Sequence, residues 1–314
     1  MGGAGLQFAF CVFHHQRVAL VAMSVSMEDA VRLKEFIHGA SKLPVLPQVT
    51  MRLLKALDSP DGSAREIARI CEAEPALTAR LLKLANSSFY GQSGNIAKVD
   101  RAVAVLGAKT IRSLALTVWT QTLRSHGRTR EEKALLSPLL AHGLASGIVA
   151  RLLAERLRPA LGEDAFMAGL LHDIGRVALV AQLGAKYQTL ILDPALREGV
   201  ALQEKEAAVL GFDHRGLGTA LMQSWALPRF LGTVAEMHHD ILASPGDSFL
   251  VAAVALADGF ATRLGFNLGL GAPRAEQDEL AAFFGFTDPR ETTEFLEICM
   301  RWFRTIGEVL DKVK

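Results

Sequence analysis

From Ser26 onward the chain carries apolar residues at the three- and four-residue spacing of an α-helix almost without interruption. Val49, Leu53 and Leu57 form one such stripe, which would face a common core from one side of a helix. Residues 43–47 (Leu-Pro-Val-Leu-Pro) read as an extended linker, because each proline disfavours helix in the residue before it. The pattern predicts an all-α fold, built as a multi-helix bundle.

Size and composition indicate a large core and no strong electrostatic field. The 314 residues exceed the usual size of one domain, so two subdomains or one large helical domain are expected. Apolar residues make up 50% of the chain and charged residues 21%, which is typical of a soluble protein with a substantial core. A formal net charge of +1 gives no general attraction to nucleic acid or to an anionic membrane, so neither is expected as a partner.

The cysteines are few, odd in number and widely spaced: Cys11, Cys71 and Cys299. This distribution argues for a reducing compartment, and against both a disulfide framework and a cysteine metal site. We therefore expect a cytoplasmic protein.

Changes of pattern along the chain predict four parts. Residues 2–22 are apolar but are interrupted by His14, His15 and Arg17, and they lack the basic start of a signal peptide and the length of a spanning helix. We interpret this stretch as an extension outside the fold, with a membrane-surface or partner helix as the alternative. The predicted parts are an extension (1–25), an N-terminal helical subdomain (26–130), a second helical subdomain (131–265) and C-terminal helices packed on the bundle (266–314).

Two local features bear on the first two parts. Gly107 separates two apolar stretches and gives the appearance of a helix-turn-helix, but the second stretch places Ile111 and Leu114 beside its basic residues. A DNA-reading helix would need exposed basic and amide side chains, so a packed helix pair is favoured. In the second part, Ser137 and Pro138 resemble an N-cap followed by proline at the first helical position, which predicts a helix running from there to Leu157.

Residues 165–176 form an apolar run that ends in an adjacent histidine and aspartate, His172 and Asp173, with Gly175 two residues further on. Imidazole and carboxylate together are a common ligand set for divalent iron, manganese or zinc. Neighbouring helical residues point about 100° apart, so both reach one ion only if it lies between their directions. The glycine would let the chain turn beneath a bound group. An ordinary polar helix end is the alternative.

Five further residues could join this pair: His142, His214, His238, His239 and Asp258. They follow one another at intervals of about 20 to 40 residues, which is one or two helices with their loops, so an antiparallel bundle can bring them to one end. Each histidine has a simpler explanation, such as a backbone hydrogen bond, exposure beside a capping aspartate, or pairing with a helix dipole. An aspartate within the apolar helix predicted over 248–264 would be costly to bury without a donor or a metal.

The order of these residues resembles the HD metal-dependent phosphohydrolase superfamily, and the flanking sequence resembles its HDOD branch of bacterial signalling proteins. The matching stretches are 43–47, 84–91 (Leu-Ala-Asn-Ser-Ser-Phe-Tyr-Gly), 102–107 (Ala-Val-Ala-Val-Leu-Gly), 169–175 (Gly-Leu-Leu-His-Asp-Ile-Gly), 210–214 (Leu-Gly-Phe-Asp-His) and 225–228 (Trp-Ala-Leu-Pro). The resemblance covers roughly residues 40 to 260. It makes the second subdomain HD-like and implies one or two divalent ions held by His142, His172, Asp173, His214, His238, His239 and Asp258.

The resemblance favours a regulatory protein that acts through a signalling protein partner, because HDOD members are generally regulatory rather than catalytic. The alternative is a metal-dependent phosphohydrolase with a nucleotide or cyclic dinucleotide ligand, in which Asp173 bridges two metals and Arg176 contacts a phosphate oxygen. Against it, the Gly-Tyr-Pro signature of cyclic di-guanylate phosphodiesterases is missing after His239, and Arg176 replaces the usual lysine. A purely structural helical protein is the third interpretation.

Overall fold

Every regular element that the structure describes is a helix, which confirms the all-α prediction. The structure is a computed structural model of the chain. The N-terminal extension predicted over residues 1–25, with His14 and His15, lies outside its described part. That part comprises residues 27–40, 43–59, 63–87, 96–127, 129–196, 201–240, 248–266 and 276–311.

The first five helices are α1 (Met27–Gly39), α2 (Gln48–Asp58), α3 (Ala64–Glu72), α4 (Pro75–Ala85) and α5 (Val99–Thr122). Helices α2 to α5 enclose a hydrophobic cluster of their own around buried Leu53, Leu81 and Ile111. The backbone of α5 kinks at Gly107, whose φ of +75° is non-helical, so the predicted packed helix pair is present.

The second, larger hydrophobic cluster is built mainly from the helices that follow, with α6 at its centre against α7 and α13. These helices are α6 (Arg130–Leu157), α7 (Gly162–Leu171), α8 (Ile174–Leu183), α9 (Ala185–Ile191), α10 (Leu202–Leu210), α11 (His214–Ser224), α12 (Arg229–Met237), α13 (Ser248–Arg263), α14 (Glu276–Phe283) and α15 (Pro289–Asp311).

The start predicted for α6 at Ser137 is wrong, since the helix begins at Arg130 and Pro138 lies inside it. The side chain of Thr129 accepts the backbone N–H of Glu132, and the Glu132 carboxylate accepts that of Thr129. This reciprocal capping box fixes the earlier start.

Helices α6 and α7 approach closely through glycines. A Cβ atom on Gly169 would lie 2.7 Å from the carbonyl oxygen of Ser146 and 2.8 Å from the Cα of Gly147. Only hydrogen fits at that distance, so α7 is held directly against the backbone of α6. The end of α7, which leads into His172, is thereby fixed relative to α6.

The C-terminal helix α15 contributes to both hydrophobic clusters. Phe295, Cys299 and Leu310 lie in the larger cluster, whereas Val309 lies in the cluster of α2 to α5. The guanidinium of Arg80 on α4 also donates to the carbonyl oxygen of Leu310. Packing of the C-terminal helices on the bundle was expected, while the division at residues 130 and 265 stays a prediction.

Within the part of the chain that the structure describes, three helical segments are long and apolar enough to cross a membrane by length and composition. They are Val99–Ser125, Arg130–Leu157 and Pro159–Leu183, and 67%, 78% and 83% of their apolar windows are buried inside the protein. Packing in the bundle therefore already covers most of this apolar surface.

Candidate metal centre

His172 and Asp173 lie at the junction between α7 and α8, and both are buried. The predicted turn at Gly175 is wrong, because the helices meet at the His-Asp pair and Gly175 belongs to the first turn of α8. Its glycine character serves a close approach instead: a Cβ there would overlap the carbonyl oxygen of His214. Gly175 thus lets α8 pack against the start of α11.

The other predicted residues come from four more places in the bundle. His142 lies in α6, His214 begins α11, His238 and His239 follow α12, and Asp258 lies in α13. Their nitrogen and oxygen atoms gather in two groups, each with ligand atoms within 4.8 Å of one another. The two groups are His142 with His172 and Asp173, and His214 with His238 and His239.

Asp173 joins the two groups. Its Oδ1 lies 3.5 Å from Nε2 of His214 and 3.7 Å from Nε2 of His238, while Oδ2 lies 3.7 Å from Nε2 of His172. Asp258 completes the set, with Oδ1 at 3.1 Å from Nε2 of His142. All seven residues predicted from the sequence therefore lie in one cluster.

Four of the histidines have their Nδ1 atom occupied. The acceptors are the carbonyl oxygen of Phe266 for His142 (2.6 Å), that of Gly169 for His172 (2.7 Å), that of Ala235 for His238 (2.8 Å) and the Glu206 carboxylate for His214 (2.6 Å). Carbonyl and carboxylate oxygens only accept, so Nδ1 carries the hydrogen and Nε2 is left to bind elsewhere. This is how metal-bound histidines are usually held.

Several nitrogen and oxygen atoms of the cluster that could bind a metal have no hydrogen-bond partner. Within the described residues, Nε2 of His172, His214 and His238 and Oδ1 of Asp173 are buried and have no hydrogen-bond partner. Buried polar atoms without partners are rare, because each costs free energy. Two ligands held about 2.1 Å from one ion lie roughly 3.0–3.5 Å apart, close to the separations seen around Asp173.

The charge states suit a cation. Burial alone would raise the pKa of Asp173, but Arg176 and the surrounding imidazoles hold it well below its ordinary value. Burial, aided by His172, lowers the pKa of His238 to about 3, and burial also lowers that of His172. At neutral pH Asp173 is thus ionised and the imidazoles of His172 and His238 are neutral, the forms that bind metals.

His142 and His214 behave differently. Burial opposes their charged forms, but Asp258 raises the pKa of His142 and Glu206 raises that of His214. Burial would raise the pKa of Asp258, but the hydrogen bond and charge of His142 outweigh burial and lower it. Without a metal, His142 with Asp258 and His214 with Glu206 therefore have the character of ion pairs, and a cation bound at Nε2 would replace the proton on that nitrogen.

Arg176 lies beside the cluster as predicted, and its Nη1 donates to Oδ2 of Asp173 at 2.7 Å. Burial opposes its charge, but Asp173, Tyr187 and Glu206 outweigh burial and raise its pKa. Its Nε and Nη2 atoms are buried without a partner among the described residues. The guanidinium can therefore bind an anion as well as Asp173.

Sequence reasoning missed Glu206 and Tyr187. Both are fully buried, and the Glu206 carboxylate accepts hydrogen bonds from His214 and from the Tyr187 hydroxyl. Glu206 lies in the polar run 203–206, which reads as a solvent-facing helix surface. Its spacing of four residues from both Leu202 and Leu210 was the available signal, since this spacing puts it on the apolar face.

A divalent cation fits this donor set. Among the described residues, the carboxylates of Asp173, Glu206 and Asp258 lie at the cluster together with the guanidinium of Arg176. Imidazole nitrogens and carboxylate oxygens together suit iron, manganese or zinc. An all-helical bundle with a His-Asp pair at a helix junction, surrounded by histidines from other helices, is the arrangement that the resemblance to the HD superfamily implies.

The model of the HDOD domain matches residues 43–241 of this sequence. The chain therefore belongs to the HDOD family.

Two known proteins are similar to this chain over most of its length. An uncharacterised protein of Treponema pallidum (strain Nichols) is 25% identical over 221 residues, which is 69% of this chain. The chain spans about two fifths (41%) of that relative's length. The crystal structure of an HDOD domain protein of unknown function from Geobacter sulfurreducens is similar, with a TM-score of 0.69, 25% identity and coverage of 91% of this chain and 98% of that one.

A Shewanella amazonensis SB2B protein, provisionally assigned as a metal-dependent phosphohydrolase, has the same fold. The TM-score is 0.65 and the identity 19%, with 91% of this chain and 99% of that one covered.

Proposed function

We propose that this protein is a regulatory HDOD module whose helical bundle binds one or two divalent ions through the seven clustered residues. The observation that carries the proposal is the set of buried, unpartnered ligand atoms: Nε2 of His172, His214 and His238, and Oδ1 of Asp173. One or two divalent ions would satisfy these atoms. Iron, manganese and zinc are the metals whose preferences match these ligands.

The geometry supports up to two ions. Asp173 offers Oδ2 toward His172 and Oδ1 toward His214 and His238, so its carboxylate can bridge. Asp258 stands beside His142 on the first side, and His239 belongs to the second. Binding would tie together α6, the α7–α8 junction, α11, the end of α12 and α13.

A signalling role is favoured over turnover by the burial of most of the cluster, of which only His239 and Asp258 are partly exposed. His172 and Asp173 are 1% and 6% exposed, and His214 and His238 are fully buried. A substrate must reach the ions, whereas an ion that stabilises one arrangement of helices needs no such access. We propose that the bound state is recognised by a signalling protein partner in the cytoplasm, as HDOD membership implies.

The second candidate is a metal-dependent phosphohydrolase acting on a nucleotide or cyclic dinucleotide. Arg176 favours it, because its unpartnered Nε and Nη2 atoms lie beside Asp173 and could bind a phosphate oxygen. The similarity in fold to the Shewanella amazonensis protein is consistent with this candidate. The metal would supply an activated water. Arg176 would position the phosphate, and Asp173 would hold the ions.

Metal analysis of anaerobically prepared protein, wild type beside Asp173→Ala, tests the proposal. We expect near-stoichiometric metal in the wild type and its loss in the variant, since both sides of the cluster share Asp173. Asp164→Ala is a matched control: Asp164 lies on α7 and pairs with Lys109, away from the cluster, so metal content should be unchanged. Absence of metal from wild-type protein would overturn the proposal, and hydrolysis of cyclic dinucleotides lost with Asp173 would favour the enzyme.

A further inference from the structure

We propose that Glu206, supported by Tyr187, is a positioning residue of the metal centre, which prepares His214 as a ligand without contacting the ion. The inference rests on the proposed metal binding. It assigns a function to two buried polar residues that lie outside the set of predicted ligands.

The contacts of Glu206 converge on His214. Its Oε2 accepts the backbone N–H of His214 at 2.8 Å and the ring Nδ1–H at 2.6 Å. Its Oε1 accepts the hydroxyl of Tyr187 at 2.5 Å. One carboxylate thus fixes both the main chain and the side chain at the start of α11.

Burial makes these contacts decisive. Glu206, His214 and Tyr187 are each 0% exposed, so water cannot replace a lost partner. The carboxylate belongs to α10, in which the neighbouring Glu204 is exposed and Lys205 is half-buried and pairs with Asp193. A buried carboxylate is costly to maintain unless its hydrogen bonds and a nearby positive charge offset the loss of hydration.

The orientation of His214 follows from this arrangement. With Nδ1–H held by Glu206, the ring presents Nε2 toward Asp173 Oδ1, 3.5 Å away. A carboxylate on the far nitrogen also makes an imidazole a stronger metal ligand, because it stabilises the positive charge that the ring acquires on coordination. Tyr187 keeps Glu206 in place by occupying its other oxygen.

The test uses the whole 314-residue chain, stripped of metal and titrated with Zn²⁺ alone against a chromophoric chelator. Glu206→Gln keeps the shape and an acceptor for Nδ1–H but removes the charge. We expect its Zn²⁺ affinity to fall by about 10- to 100-fold, the usual effect of losing such a partner. The absorption spectrum of the Co²⁺-loaded variant should also change, since the His214 ligand is altered.

Glu163→Gln is the matched control. Glu163 is also largely buried and accepts hydrogen bonds from Thr110 and Ser113 beside its ion pair with Arg151, but it lies at the opposite end of α7 from His172. The control should lose stability like Glu206→Gln while keeping the wild-type Zn²⁺ affinity and Co²⁺ spectrum. A general packing effect would instead lower the affinity equally in both variants, and would overturn the inference.

The outcomes separate the two proposals. Zn²⁺ bound equally well by wild type and Glu206→Gln would overturn the role of Glu206 alone. Failure of wild-type protein to bind Zn²⁺ would overturn the proposed metal function and this inference with it. If Glu206→Gln does not fold, Tyr187→Phe carries the test, with an expected several-fold loss of affinity; an unchanged affinity there would count against the inference.

Discussion

At the scale of single residues, the cluster separates ligands that are ready to bind from ligands that must first lose a proton. The pKa values of His172 and His238 are lowered, mainly by burial, so their Nε2 atoms are free at neutral pH. Asp258 and Glu206 outweigh burial and raise the pKa values of His142 and His214. A metal must therefore compete with protons at His142 and His214 but not at His172 and His238.

This difference predicts proton release when metal binds. A raised pKa keeps His142 and His214 protonated to higher pH, so metal affinity should fall as the pH is lowered from about 8 to about 6, where histidine ordinarily titrates. Calorimetry in buffers of different ionisation enthalpy measures the protons released. An affinity independent of pH and heats independent of buffer would show that both histidines are already neutral.

At the scale of helices, the close approach of α8 to the start of α11 at Gly175 positions His214 relative to Asp173. Gly175→Ala would place a methyl group against the carbonyl oxygen of His214, forcing the two helices apart. We expect a loss of about 1–3 kcal/mol in the free energy of unfolding, the usual cost of overpacking. A lower metal affinity should accompany it, because His214 moves relative to Asp173.

Gly307→Ala serves as the control for this helix contact, since a Cβ on Gly307 of α15 meets nothing within 4 Å. That substitution should leave metal affinity unchanged and stabilise slightly, as alanine favours helix over glycine. Thermal unfolding and metal titration of both variants provide the measurement. Wild-type affinity in Gly175→Ala would mean that the bundle absorbs the displacement without moving His214.

These helices also show which features of the fold and of the site could be predicted from the sequence. Apolar spacing predicted the helices and, with the resemblance, the gathering of His172, Asp258 and the others at one place. The functions of Gly175 and Glu206 could not be predicted in this way. Each depends on which helix lies opposite, and this is a property of tertiary packing. The start of α6 was misplaced because Pro138 resembled a first-turn proline, whereas Thr129 caps the helix earlier.

At the scale of the whole molecule, the ligands come from helices far apart in sequence that meet in the larger hydrophobic cluster. An ion that binds only the folded arrangement stabilises it by RT ln(1 + [L]/Kd), about 2.7 kcal/mol at a metal concentration of 100 Kd. We therefore expect the Tm to rise with added Zn²⁺ and to return when a chelator removes it. Asp173→Ala should show no metal-dependent rise, and a similar rise in that variant would place the stabilising ion elsewhere.

The Nδ1 hydrogen bonds of the four histidines differ in whether a single mutation can remove the acceptor. His172 and His238 donate to main-chain carbonyl oxygens three residues earlier in the sequence, and His142 donates to the carbonyl oxygen of Phe266. Main-chain acceptors of this kind remain when the side chain of the acceptor residue is replaced. His214 relies on the side chain of Glu206, which one mutation can remove. Among descendants of this sequence, His214 and Glu206 should consequently be retained or lost as a pair, whereas His172 and His238 need no companion.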